Sequence, residues 1–96
     1  MSNVKSAESI VFLALQTNEE TRPIIEAIER DNPHAVVHRM PAMVKIDAPW
    51  RLVLRRSTVE DIMGVEFDLQ SFHVNLISLS GNVDETEDEL VLEWKR

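Results

Sequence analysis

Hydrophobic and polar positions change their period several times along the chain, and each change marks the edge of an element. Residues 10–15 form a continuous apolar run, the pattern of a strand buried on both faces, although so short a run does not by itself exclude helix. Thr17, Asn18, Glu19 and Glu20 follow, and Thr17-x-x-Glu20 has the form of a capping box. Pro23 suits only the first turn of a helix, so the helix begins near Glu20 or Thr21 and runs to about Arg30. Ile24, Ile25, Ala27 and Ile28 then share its inner face, with Glu26, Glu29 and Arg30 outside. Asp31-Asn32-Pro33 stops it, because the residue before a proline avoids the α region.

A second strand is expected over residues 35–40, broken by Pro41-Ala42-Met43, and residues 44–48 alternate with the period of two of a half-buried strand. Ala48-Pro49-Trp50 reads as a turn and residues 51–55 as the returning arm of a hairpin. Ser57-x-x-Glu60 is a second capping box, opening a short helix that stops at Gly64. Asp68 caps another short helix through Phe72, and a strand follows over residues 74–79. After the turn Ser80-Gly81-Asn82 and an acidic run, residues 90–94 close the chain as a strand. The predicted order is β-α-β-β-β-α-α-β-β: an α+β fold with a mostly antiparallel sheet, one main helix and a short helical pair. A flexible N-terminal tail is expected over residues 1–9 and a single domain over 10–96.

Composition narrows what such a domain does. Its 96 residues bury roughly 60–65% of the unfolded surface, enough for one modest core but not for a deep cavity. The aromatics are Phe12, Trp50, Phe67, Phe72 and Trp94, so Ile, Val and Leu must build the core. The absence of cysteine excludes disulfides, thiolate metal sites and cysteine nucleophiles. No stretch has the length of a signal-peptide core or of a membrane span, so a cytoplasmic protein with no membrane partner is expected. With 17 acidic residues against 10 basic ones, the net charge is −7, which disfavours nucleic acid as a partner. Arg39, Lys45, Arg51, Arg55 and Arg56 make the middle basic, while Asp84, Glu85, Glu87, Asp88 and Glu89 make the far end acidic. Two solvated faces that attract each other, or a docking role, would each explain this spread.

No catalytic constellation emerges. Gly64 and Gly81 are the sole glycines, which leaves no phosphate-cradling loop, and there is no Gly-x-Ser-x-Gly elbow. His34 and His38 fall on one face of a strand, but a metal site there needs a third ligand, for which Asp31 is the nearest candidate; surface or hydrogen-bonded histidines are the commoner case. His73 has no partner in sequence. The run from Asp84 carries Glu89 where a calcium loop needs glycine, so a solvated, mobile loop is the better reading. Met40 and Met63 are expected in the core, while Met43, beside a proline-stiffened corner, suits either the core or an adaptable binding surface. No catalytic, cofactor-binding or metal-binding residue is expected, and a domain of this kind acts by binding something larger.

Asp31-Asn32-Pro33-His34-Ala35-Val36-Val37 followed by Pro41-Ala42-Met43-Val44-Lys45-Ile46 resembles the effector proteins of bacterial multicomponent diiron monooxygenases, particularly of the phenol hydroxylase branch. The likeness continues in Glu26-Ala27-Ile28-Glu29, Thr58-Val59-Glu60 with Gly64, and Asp68-Leu69-Gln70. It returns in Ser80-Gly81-Asn82-Val83-Asp84-Glu85 and Val91-Leu92-Glu93-Trp94-Lys95, so that it spans nearly all of the chain from Ile10. It implies an α+β effector, monomeric when free, that carries no cofactor and binds a separate hydroxylase whose diiron centre oxidises phenols or related aromatics. An NADH-dependent reductase supplies electrons in such systems, and the effector docks above the helices carrying the iron ligands. The expected hydroxylase interface is Asn32, Pro33, Pro41, Ala42 and Met43 together with Gly81, Asn82 and Val83, because rigid, weakly charged loops lose little entropy on docking. Arg51, Arg55 and Arg56 would supply rim contacts or steering. Pro49-Trp50 lies outside the resemblance, and Trp50 is either an interface anchor or a cap on the apolar face of the sheet. Two other readings fit the element order: a ferredoxin-like regulatory domain for a small ligand or another protein, and a small ferredoxin-like enzyme.

Overall fold

The computed structural model describes residues 9–94. The tail expected over 1–9 therefore lies, except for Ser9, outside the described residues; Ser9 itself is buried and belongs to the fold. The chain runs β1 (Ile10–Gln16), α1 (Arg22–Asp31), β2 (Val36–Arg39), β3 (Met43–Pro49), β4 (Arg51–Arg55), α2 (Arg56–Met63), a 3-10 helix (Leu69–Asn75), β5 (Leu76–Ser80), β6 (Asn82–Glu85) and β7 (Glu89–Glu93). The strands make two antiparallel sheets, ordered β2-β3-β1-β5 and β4-β7-β6. The α+β class is as expected.

β1 lies inside the first sheet, with Val11, Leu13, Ala14 and Leu15 all buried, as its unbroken apolar run requires. Val11, Leu13 and Leu15 share one core with Leu52 and Leu54 of β4, Leu90 and Leu92 of β7, and Ile24, Ile25, Ala27 and Ile28 of α1. Phe72 from the 3-10 helix completes it. Burying about twenty apolar side chains, each contributing roughly 1.5–3 kcal/mol, is the main force opposing chain entropy.

Several local expectations are corrected. The turn at Ala48-Pro49-Trp50 does not fold β4 back on β3, because both edges of β3 are already taken by β1 and β2. Trp50 instead adopts φ 66°, a left-handed conformation uncommon for a bulky residue, and turns the chain from the first sheet into the second. Its N–H donates to Ser9 O (2.7 Å) and its carbonyl accepts from Trp94 N–H (3.1 Å), which holds the turn between the two ends of the fold. Neither capping box forms. At α1 the reciprocal pair is shifted by one residue: Asn18 N–H donates to Thr21 Oγ1 and Thr21 N–H to Asn18 Oδ1, both at 3.0 Å. At α2 the N-cap is Arg55, with no side-chain cap, and Glu60 Oε2 accepts from Phe67 N–H (2.9 Å) beyond the helix. Gly64 does end α2, at φ 77°, and Asp68 Oδ1 does cap the 3-10 helix by accepting from Gln70 N–H (3.1 Å).

The acidic run is no free loop. Asn82–Glu85 is an additional strand, paired with β7 across the Thr86–Asp88 turn, where Thr86 N–H donates to Glu89 O (2.9 Å). The third helical piece reaches Asn75, so Val74 belongs to it and not to β5. Met40 and Met63 are exposed rather than buried, since each stands where its element is ending.

Candidate docking surface

Among the described residues no group of three or more His, Asp or Glu side chains is placed to hold a metal ion. His38 Nε2 faces Asp47 Oδ2 at 3.0 Å across the β2–β3 ladder, and Lys45 Nζ stands 3.4 Å from the other oxygen of the same carboxylate. Lys45 also lies over the Phe12 ring, 4.5 Å from its centroid. His34 does not join His38 in a ligand set with Asp31, whose Oδ2 accepts from the Thr58 hydroxyl (2.6 Å). His34 and His38 instead border an open cleft of about 440 Å³ beside Trp50 and Val36. His73 has found a partner, Glu85 Oε1 at 2.9 Å, tying the 3-10 helix to β6.

The eight expected interface residues fall in separate places. Pro41, Ala42 and Met43 form the β2–β3 corner, with Pro41 and Ala42 exposed and Met43 half-buried. Two bonds stiffen it: Met40 N–H donates to Met43 O (2.9 Å), and Thr17 N–H to Ala42 O (3.1 Å). Met43 pairs with Gln16, at the far end of β1. Gly81 stands against Val11, at the near end, so the two segments are about 17 Å apart along the strand. Asn82 and Val83 are exposed on β6, the edge of the second sheet. Asn32 lies elsewhere again: its carboxamide is directed inward, onto Val53 of β4 and Ile28 of α1. Pro33 next to it is exposed.

Gly81 does more than turn the chain. Its φ of 133° disfavours any other residue, and a Cβ there would lie 3.0 Å from Val11 Cγ1. It joins β5 to β6, so one ribbon from Leu76 to Glu85 forms an outer edge of both sheets.

The basic middle and the acidic end meet across β4 and β7. Arg51 pairs with Glu93 (3.5 Å), Arg55 with Glu89 (3.7 Å) and Arg56 with Asp88 (3.1 Å). Two acids of the named acidic run, Asp88 and Glu89, thus meet arginines of the basic middle, and each pair, being exposed, contributes little alone. Arg22, Arg30, Arg39 and Lys45 are also ion-paired, so every arginine and lysine among the described residues has an acidic neighbour. Exposed apolar side chains outside the expected set include Val36, Val65, Val74 and Ile77, besides Ile10, Trp50 and the two methionines Met40 and Met63. Val74 was hidden by reading its 3-10 turn as strand, and Ile77 by the register shift between β1 and β5.

The surface is thus one of paired charges and exposed corners around a single core. The chain belongs to the MmoB/DmpM family, which it matches over residues 9–93. It is 51% identical over 87 residues to the phenol 2-monooxygenase stimulatory component DmpM of Pseudomonas sp. (strain CF600), covering 91% of this chain and 97% of that one. Among solved structures it is similar to a chain of the phenol hydroxylase–regulatory protein complex, with a TM-score of 0.85 and 43% identity over 90% of this chain and 99% of that one. The regulatory protein B of soluble methane monooxygenase shares the fold, with a TM-score of 0.69 at 20% identity, over 90% of this chain and 65% of that one.

Proposed function

We propose that this protein is the cofactor-free effector of a phenol hydroxylase-type monooxygenase, binding the diiron hydroxylase and coupling NADH-driven oxygen activation to hydroxylation of phenol or a related aromatic. The observation that carries this reading is the 51% identity to a stimulatory component along nearly the whole of both chains. The protein is not itself catalytic. It acts in the cytoplasm as a monomer when free, and meets the NADH-dependent reductase only within the same system. Binding of this kind changes a partner only through preference for one of its states. A preference of about 5.5 kcal/mol would take an oxygen-reactive hydroxylase conformation from about 1% to about 99% of the population. Linkage then makes effector affinity depend on the state of the hydroxylase.

The test is phenol hydroxylation by a hydroxylase and reductase of this type, titrated with the full chain. Product formation is expected to rise and saturate near one effector per active site. Failure to stimulate hydroxylases of both the phenol and toluene branches would refute the coupling role.

For the docking surface we propose the accessible parts of the expected set: the exposed Pro33, Pro41 and Ala42 with the half-buried Met43, and the exposed Asn82 and Val83. Asn32 and Gly81 position these segments from inside, and Arg51, Arg55 and Arg56 form a rim already balanced by acids. The firm anchoring of the β2–β3 corner supports its use, because an ordered loop loses little entropy on binding. Ala42→Arg is expected to raise the effector concentration giving half-maximal stimulation by about tenfold or more, equivalent to about 1.4 kcal/mol or more. Its urea midpoint should stay that of the parent, since Ala42 is exposed. Unchanged titration would remove the corner from the interface.

A further inference from the structure

Ser9, Thr21 and Asn75 are the buried polar residues among those described, and the last two both bond to Asn18. With Thr21 the exchange is local. Besides the reciprocal pair that opens α1, the Thr21 hydroxyl donates to Asn18 O (3.1 Å), which closes residues 18–21 into a turn. Asn75 comes from 57 residues away, at the end of the 3-10 helix. Its Oδ1 accepts from Asn18 Nδ2 (2.7 Å) and its Nδ2 donates to Glu20 Oε1 (3.2 Å). One carboxamide thus spans the whole turn, with donor and acceptor both in use. Opening α1 needs only the local exchange; the bridge to Asn75 serves something else.

What the turn carries is the β2–β3 corner. Thr17, next to Asn18, donates its N–H to Ala42 O (3.1 Å). The other bond at the corner, from Met40 N–H to Met43 O, is internal to it. The β1–β3 ladder ends at the rung of Gln16 and Met43. Beyond that rung the Thr17 bond ties the tip of the corner to the body, and Thr17 is itself held by the turn that follows it. A continuous path therefore runs from Asn75 through Asn18 and Thr17 to Ala42, linking three segments far apart in sequence.

We propose that Asn75 is a positioning residue for docking: it pins the 17–21 turn through Asn18 and so fixes the β2–β3 corner in the shape that meets the hydroxylase. This role rests on the reading of that corner as part of the docking surface. A corner held in advance loses less freedom on binding, so the bridge raises affinity and leaves the action of the bound effector unchanged.

The experiment titrates hydroxylase and reductase with the full chain and with its Asn75→Leu variant, which keeps the branching of the side chain and removes its hydrogen-bonding groups. Amide exchange at Thr17 is read on the same proteins under native conditions. The variant is expected to raise the half-maximal effector concentration about three- to tenfold, with the rate at saturation unchanged. Its Thr17 amide should exchange about tenfold faster, the effect of losing one hydrogen bond. On an Ala42→Arg background, where the corner no longer docks, Asn75→Leu should add little further loss, a coupling that lowered global stability does not produce. A folded variant with the parent's titration, or with the parent's exchange at Thr17, overturns the proposal, as does a loss that adds in full to that of Ala42→Arg. A parent that stimulates no hydroxylase refutes the coupling role and this one with it. Where Asn75→Leu loses its cooperative unfolding transition, Asn18→Asp, which keeps the acceptor for Thr21 N–H and lacks the donor to Asn75, is judged by the same readings.

Discussion

Gly81→Ala is expected to destabilise the fold by about 2–4 kcal/mol, a large part of the roughly 5–15 kcal/mol available to a domain of this kind. Two causes add. A φ of 133° lies where side chains are rarely accommodated, at a cost of about 1–3 kcal/mol. The new methyl would also stand 3.0 Å from Val11 Cγ1, and Val11 is fully buried in the middle of the first sheet, so the contact cannot be relieved by a side chain swinging into solvent. Overpacking of that kind adds about 1 kcal/mol or more. Urea denaturation of the parent, Gly81→Ala, Val11→Ala and the double variant separates the two. The coupling between the sites reports the contact, and the part that Val11→Ala does not relieve reports the backbone. A single variant within about 0.5 kcal/mol of the parent would show that this crossing between sheets tolerates an ordinary residue.

Phe72→Ala should cost about 3–5 kcal/mol, because it removes a fully buried aromatic and leaves a cavity among residues fixed on several elements. The 3-10 helix that carries Phe72 has little stability of its own, since its hydrogen bonds are poorly aligned. It is held by Phe72 and Leu69 on the inside and by Asn75, whose Oδ1 accepts from Asn18 Nδ2 (2.7 Å). Losing the ring should therefore speed exchange throughout Leu69–Asn75 as well as lower the urea midpoint. Phe72→Leu, which keeps most of the volume, should cost under about 2 kcal/mol. A loss below about 1.5 kcal/mol for the alanine variant would mean that neighbouring side chains collapse into the space.

Much of this architecture was legible in the residues. Apolar periodicity placed β1, the inner face of α1 and β7, because each buries side chains at intervals its own backbone dictates. Glycine and proline placed the ends of α1 and α2. Sheet membership was not legible, since β4 reads equally well as a partner for β3 or for a strand nearly forty residues later; the choice is made where both edges of β3 are filled. The acidic run hid β6 because six polar residues show no alternation, and the partners of Glu85, Asp88 and Glu89, namely His73, Arg56 and Arg55, come from elements distant in sequence. The capping boxes failed for a related reason: Glu60 satisfies Phe67 N–H, and Thr21 and Asn18 satisfy each other. For the docking surface, the sequence pointed to stiff corners but not to their spacing, and Asn32, chosen as a contact residue, is committed to β4.

The placing of β7 has a consequence for how the protein is made. It lies at the middle of the second sheet, between β4 and β6, yet Glu89–Glu93 is synthesised after both of these neighbours. Until those residues emerge from the ribosome, β4 and β6 have nothing to pair with, and Leu52 and Leu54 lack the Leu90 and Leu92 that cover them. Assembly of the second sheet therefore waits for Glu89–Glu93 to emerge, and the nascent chain carries exposed apolar strands until then.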